Sequence, residues 1–265
     1  MALRIAVSGA SGRMGQALAR LIAGSGDLEL VGGIDRERLS GEAAARIGYP
    51  RVETVDNAAS VLGSADVLLD FSAPAALARL LAEQADALAG RAIVVGTTGL
   101  GDDVLRVLDA AAARSPVLVS ANFSVGVNVL LALVEQAARL LPPERFDVEI
   151  VETHHRNKVD APSGTALALG RAIAGVRGVR LEEVRRDGRS GETGKRPVGE
   201  IGFHALRGGE VVGEHRVQFL GAYERIELAH AAADRALFAD GALLAARWIA
   251  GRPPGHYTMR QVLGL

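Results

Sequence analysis

Along the first half of the chain, short apolar runs alternate with longer stretches rich in Ala and Leu. Residues 3–8, 28–34, 67–71, 92–96 and 117–120 are brief, apolar and bounded by Gly, Ser or Pro, which predicts strands. Between several of them, residues 14–23, 75–89 and 102–114 place apolar side chains at helical spacing, which predicts helices. Strands apolar on both faces, in β-α-β-α order, predict a parallel sheet covered by helices on both sides.

The second half changes character. After a predicted helix at 127–140, the runs 147–152, 199–207, 211–219 and 223–230 alternate polar and apolar residues, as in Ile201, Phe203 and Ala205. Alternation of this kind predicts antiparallel strands with one solvated face. Gly208 and Gly209, between two such runs, read as a hairpin turn. Residues 185–197 are almost devoid of apolar side chains and predict a long loop, and 166–173 and 236–250 return to helical spacing.

With 265 residues, 49% of them hydrophobic, the chain can form one large domain or two modest ones. Its 30 Lys and Arg against 31 Asp and Glu leave a formal net charge of -1, so no global field draws nucleic acid or an anionic membrane, and any cationic site must be local. The lack of Cys excludes a disulfide scaffold, a thiolate metal site, an iron–sulfur cluster and a Cys nucleophile. Many Gly and few aromatics predict tight turns, close helix packing and a small polar substrate. The start of the chain shows no secretory signal, and the apolar window 125–141 is broken by Gly126, Asn128, Glu135, Gln136 and Arg139, so a soluble, cytoplasmic protein is expected.

The first predicted strand runs directly into Gly9-Ala10-Ser11-Gly12-Arg13-Met14-Gly15 and then a helix. Glycines at this spacing permit a tight turn at Gly9, approach of a pyrophosphate at Gly12 and close helix packing at Gly15, while helix N–H groups face the anion. The second strand ends at Asp35, placed to accept hydrogen bonds from an adenosine ribose, and Arg36 follows, able to pair with a 2′-phosphate. Together these predict use of both NADH and NADPH; the bland alternative is a strand-end turn followed by a surface Arg. Gly96, Thr97 and Thr98, and Ser120, Ala121, Asn122 and Phe123, follow two later strands and would line the nicotinamide crevice at the carboxyl ends of a parallel sheet.

The densest polar constellation is 152–166, containing His154, His155, Arg156, Lys158, Pro162, Ser163, Gly164 and Thr165. Adjacent histidines on extended backbone point to opposite sides, so one can transfer a proton while the other binds substrate or packs. Gly164 and Thr165 open a helix whose free N–H groups form a carboxylate site. Two other readings stand beside this one, a metal-binding pair of histidines and plain polar residues at a strand end. No nearby Asp or Glu completes the familiar helical metal motif, and no metal is expected.

This segment, with Ala121-Asn122-Phe123-Ser124-Val125-Gly126-Val127-Asn128, the glycine turn, Gly96-Thr97-Thr98-Gly99, Ile201-Gly202-Phe203 and Gly213-Glu214-His215, resembles the dihydrodipicolinate reductases over essentially the whole chain. The resemblance implies an α/β chain: a Rossmann-type parallel-sheet cofactor domain, 1–125 and 235–265, with an inserted α+β substrate-binding and oligomerisation domain, 126–234, holding a mixed, largely antiparallel sheet. It also implies a homotetramer, hinges near 123–127 and Asp234, and NADH- or NADPH-dependent reduction of 4-hydroxy-tetrahydrodipicolinate with loss of water, in lysine and diaminopimelate biosynthesis. By motif position, His154 is the implied proton donor and Lys158 a second acid that also binds substrate. His155 contacts the substrate, Gly164 and Thr165 hold a carboxylate, and Gly9 to Met14, Asp35, Arg36, Gly96 to Thr98 and Ser120 to Phe123 bind the cofactor. Asp35 stands where many relatives have Glu, which leaves cofactor preference open. Two competing expectations are a Rossmann dehydrogenase of another amino or imino dicarboxylate, and a non-catalytic dinucleotide-binding redox sensor.

Overall fold

The computed structural model describes residues 1–265, which divide into two compact units: Met1–Ser124 with Ala236–Leu265, and Val125–Arg235. The chain begins with β1 (Leu3–Ser8), α1 (Arg13–Ala23) and β2 (Leu28–Ile34). Residues 41–62, each piece too short for a periodic pattern, hold α2 (Gly41–Arg46), β3 (Val52–Glu53), a 3₁₀ turn (Val55–Asn57) and α3 (Ala59–Leu62). There follow β4 (Val67–Asp70), α4 (Pro74–Glu83), α5 (Ala85–Leu88), β5 (Ala92–Val95), α6 (Asp102–Ala112) and β6 (Pro116–Val119). The second unit comprises α7 (Val125–Leu140), β7 (Asp147–His154), α8 (Gly164–Val176), α9 (Leu181–Val184), β8 (Arg185–Asp187), β9 (Ile201–Arg207), β10 (Gly213–Leu220) and β11 (Arg225–Ala232). The chain then returns to the first unit as α10 (Ala236–Ile249), β12 (Gly255–Tyr257) and α11 (Met259–Leu263).

The first unit is built on a parallel sheet in the order β12-β6-β5-β4-β1-β2-β3. Side chains alternate across it, and both faces are dry. Ile5, Val7, Leu69 and Val94 pack against α1 and α10, whereas Ala6, Leu68, Ile93 and Val95 pack against Leu77, Leu80 and Leu108. The helix expected over 75–89 is two helices. Gln84 leaves the helical region (φ -114°, ψ 24°), and its side chain donates to the Val55 carbonyl at 2.8 Å, which anchors the break. β12 extends the sheet beyond β6, and Tyr257 meets Trp248 of α10 edge-on at 5.5 Å.

The second unit has a mixed sheet in the order β11-β10-β7-β9-β8, with β10 antiparallel to β7 and β11, and β9 parallel to β7 and β8. The hairpin expected at Gly208-Gly209 does not form, because β7 lies between β9 and β10. In this order β7 pairs along both edges, with β10 on one side and β9 on the other, where a β9–β10 hairpin would leave one of its edges unpaired. The glycine loop instead steps across the end of β7: Gly208 N–H donates to the His154 carbonyl at 3.0 Å, and Arg156 N–H to that of Gly209 at 3.2 Å. The polar stretch 185–197 is not wholly a loop, since β8 pairs with β9 before the irregular segment begins. Arg196 anchors that segment to the sheet by donating to the carbonyls of Val148 (2.9 Å) and Glu200 (2.6 Å). No helix is long and apolar enough to cross a membrane.

Candidate active site

At the carboxyl end of β1, Gly9 adopts φ +81°, and a Cβ there would lie 2.5 Å from the Phe71 carbonyl oxygen. A side chain at Gly15 would overlap the carbonyls of Gly9 and Ala10, so glycine lets α1 start directly on the turn. Gly12 caps α1 with no side-chain acceptor, and the first turn contains no acid. A helix start left this way, with exposed Ser11, Gly12 and Arg13 around it, is a cradle suited to a pyrophosphate. Asp35, at the end of β2, binds the turn: its Oδ2 accepts from Ser11 N–H (2.8 Å) and Oγ–H (2.6 Å), and its Oδ1 accepts from Arg36 N–H (2.8 Å). Burial alone would raise the Asp35 carboxyl, but these bonds outweigh it and hold the group below its ordinary value.

The other predicted cofactor residues meet along the same sheet edge. Thr97 is buried and donates to Asp70 Oδ1 at 2.5 Å, while Ser72 Oγ–H donates to Oδ2 at 2.8 Å, joining the ends of β4 and β5. Burial raises the Asp70 carboxyl, partly offset by hydrogen bonds from Thr97, Ser8 and Ser72. Thr98 and Ala121 are exposed, and Gly96, Ser120 and Asn122 half-buried. Ala10 and Phe123 are buried, so only their backbones can face a ligand; the Phe123 ring packs on Phe71 at 5.6 Å. A Cβ on Gly96 would enter the Phe71 ring, so this one phenylalanine sets the spacing of three strand ends.

The second constellation lies at the end of β7. His154 is 9% exposed, and its Nδ1 lies 2.5 Å from Glu152 Oε2. A Cβ on Gly213 would sit 2.9 Å from His154 Nε2, so glycine keeps that nitrogen clear. Burial pulls His154 below its ordinary value; Glu152 opposes the shift, and Lys158 and Arg207 add to it. His155, on the other side of the backbone, accepts from Arg235 at 3.0 Å, and Lys158 pairs with Asp160 at 2.8 Å. α8 starts two residues earlier than the hydrophobic pattern predicts, at Gly164, because Ser163 Oγ caps it by accepting from Ala166 N–H at 3.2 Å. Gly164 is exposed, a Cβ there would meet nothing within 4 Å, and the first turn has no acid. The helix start is therefore uncrowded at Gly164 and carries no acid in its first turn.

Each predicted site residue thus falls into one of two clusters, one in each unit. Glu152, Arg207, Arg235 and Asp70 join these clusters without belonging to the residues expected from the sequence. Glu152 and Asp70 did carry a signal, since each is an acid in a buried phase: Glu152 follows Val148 and Ile150 in the inward row of β7, and Asp70 ends an all-buried strand.

The parallel-sheet unit thus offers a helix start with neither a side-chain cap nor an acid in its first turn, and the α+β unit a buried imidazole tied through Glu152 to the cap residue of α8. Residues 3–123 match the family model described as dihydrodipicolinate reductase, N-terminus, and residues 126–263 the one described as dihydrodipicolinate reductase, C-terminus. The chain belongs to the dihydrodipicolinate reductase family. It is 47% identical over 270 residues to a 4-hydroxy-tetrahydrodipicolinate reductase of Alkalilimnicola ehrlichii, covering 100% of both chains. It is 45% identical to one of Caulobacter vibrioides, covering 99% of this chain and 97% of the relative. In fold it is similar to the dipicolinate-bound dihydrodipicolinate reductase of Paenisporosarcina sp. TG-14, with a TM-score of 0.75 at 24% identity over 97% of this chain and 98% of that one. Family membership makes the chain an oxidoreductase with a nicotinamide dinucleotide cofactor.

Proposed function

We propose that this chain reduces 4-hydroxy-tetrahydrodipicolinate to tetrahydrodipicolinate with loss of water, using NADH or NADPH, in lysine and diaminopimelate biosynthesis. The observation that carries this reading is the pairing of His154, its Nε2 kept clear by Gly213, with the start of α8, exposed at Gly164 and without an acid in its first turn, in a chain of this family.

In this reading the first unit binds the dinucleotide. Gly9, Ala10, Ser11, Gly12, Arg13 and Met14 hold the pyrophosphate on the start of α1, Asp35 takes the ribose hydroxyls, and Arg36 pairs with the 2′-phosphate when NADPH binds. Gly96, Thr97, Thr98, Ser120, Ala121, Asn122 and Phe123 shape the nicotinamide end. When bound, the dinucleotide supplies a hydride. In the second unit, Gly164 and Thr165 hold one substrate carboxylate with backbone N–H groups, and Lys158 and His155 engage the rest of the dianion. A conjugated imine that has gained a hydride is electron-rich and must gain a proton, which His154 supplies from Nε2, with Lys158 as a second acid.

The second unit also assembles the protein into a homotetramer in this reading, and the protein is cytoplasmic. Support for assembly comes from the sheet face opposite Val148 and Ile150, where Leu206, Ala229 and Ala231 are exposed beside half-buried Val151. His154→Ala and Lys158→Ala are each expected to lower kcat by ~10²-fold or more while leaving NADH affinity within about twofold of wild type. Unchanged turnover in both variants would remove these residues from the mechanism.

A further inference from the structure

The inward row of β7 reads Val148, Ile150, Glu152, His154, and all four are buried. A carboxylate in such a row is costly unless it is paired. Glu152 is 1% exposed and shares its face with His154, two positions on. Its side-chain bonds converge on the proposed substrate site. Oε2 meets His154 Nδ1 at 2.5 Å, Oε1 accepts from Ser163 N–H at 3.0 Å, and Arg207 of β9 donates to both oxygens at 2.8 Å each.

We propose that Glu152 is the positioning residue of this site. By accepting from Nδ1–H it fixes the tautomer and orientation of His154, and by binding the cap residue of α8 it registers that imidazole against the helix start that takes the substrate carboxylate. Arg207 sets how much of the Glu152 charge the imidazole feels. The proposal rests on His154 being the proton donor.

The proton bookkeeping follows from the geometry. In the imidazolium both nitrogens carry hydrogen. The Nε2–H bond breaks with its electron pair staying on nitrogen, and an electron pair of the hydride-reduced substrate forms the new bond to that proton. Neutral imidazole remains with Nδ1–H donated to Glu152, and Nε2 regains a proton from water. A carboxylate at Nδ1 stabilises the charged form and holds the neutral form in the tautomer that can be recharged at Nε2.

The charged and titratable groups around the ring are few. Lys158 and Asp160 come from the loop after β7, Arg207 from β9, and His215 from β10, its ring meeting His154 edge-on at 5.2 Å. His230 of β11 stands beyond His215, opposite it in the strand register. Lys158, Arg207 and burial favour neutral imidazole, and Glu152 is the acid that opposes them by direct contact.

Opposite shifts from the two partners of one carboxylate separate positioning from mere structural support. Nitrogen-15 NMR of labelled histidine in the full chain reads the His154 tautomer and titration midpoint, and the pH dependence of kcat/KM reads the same group in turnover. Wild type is expected to show neutral His154 protonated at Nδ1. Glu152→Gln is expected to move both the midpoint and the alkaline limb of kcat/KM to lower pH by about one unit, and to lower kcat at neutral pH about tenfold or more. Arg207→Met is expected to move both to higher pH. Should Arg207→Met fail to fold, Glu152→Asp, which keeps the charge, is expected to hold the midpoint closer to wild type than Glu152→Gln does.

Midpoints that stay put, or that move the same way in Glu152→Gln and Arg207→Met, would make Glu152 a structural ion-pair partner and overturn the inference. Absence of substrate-dependent turnover in wild type would overturn the proposed function instead. The NMR comparison still decides whether Glu152 governs the imidazole.

Discussion

Two residues show how position sets chemistry in this chain. Arg36 is exposed at the end of β2, next to an acid already bonded to the glycine turn; in the proposed reading its guanidinium pairs with a 2′-phosphate and Asp35 takes the ribose hydroxyls. Arg36→Ala is expected to weaken NADPH binding about tenfold and NADH binding by less than twofold, a split readable by fluorescence titration. Equal losses would refute phosphate pairing. His215 is the opposite case. Burial, assisted by the nearby His154, depresses it to about 4, and its Nδ1 is buried without a hydrogen-bond partner. It is neutral in the fold, whereas in the unfolded chain it takes up a proton below its ordinary value near 6.5. The stability it contributes is therefore complete above about pH 6.5 and lost as pH falls toward about 4, up to roughly 3 kcal/mol. Thermal melts between those limits are expected to show a steep acid decline in wild type and a flatter one in His215→Asn; parallel declines would contradict this.

At the scale of elements, the strand ends of the parallel sheet are spaced by the contacts of Phe71. Its carbonyl abuts Gly9, its ring fills the space where Gly96 lacks a Cβ, and it packs at a tilt against the Phe123 ring. Gly96→Ala is expected to destabilise the protein by about 1–3 kcal/mol, through overpacking, and to weaken dinucleotide binding. Gly26→Ala, where a Cβ meets nothing within 4 Å, is the control expected to leave both unchanged. A melt in which the two variants match would remove Phe71 from this role. The elements that build this edge were legible in the sequence because each is a short apolar run bounded by Gly, Ser or Pro. The missed elements are β3, β8 and β12, of two or three residues each, and the four- to six-residue helices around them, which cannot display a period. The failed hairpin has another cause. Gly208 and Gly209 do turn the chain, but the two strands they join pair with opposite edges of β7, a partner distant in sequence that no local turn signal reveals.

For the whole molecule, a net charge of -1 describes neither unit's binding cluster. The positive character is concentrated at a helix start beside Arg13 in one unit, and at Lys158, the start of α8 and Arg235 in the other. The motif residues of both clusters could be read from the sequence because they are contiguous. Arg207 could not, since it reaches Glu152 across 55 positions and only the register of β7 with β9 brings them together. In the proposed function this chain reduces the product of the synthase that joins pyruvate to aspartate semialdehyde. Mixing the full chain with that active synthase and its two substrates, and following dinucleotide absorbance, tests it directly. Absorbance loss is expected with NADH and with NADPH, requiring the synthase and disappearing with His154→Ala. No synthase-dependent loss with either dinucleotide would contradict it.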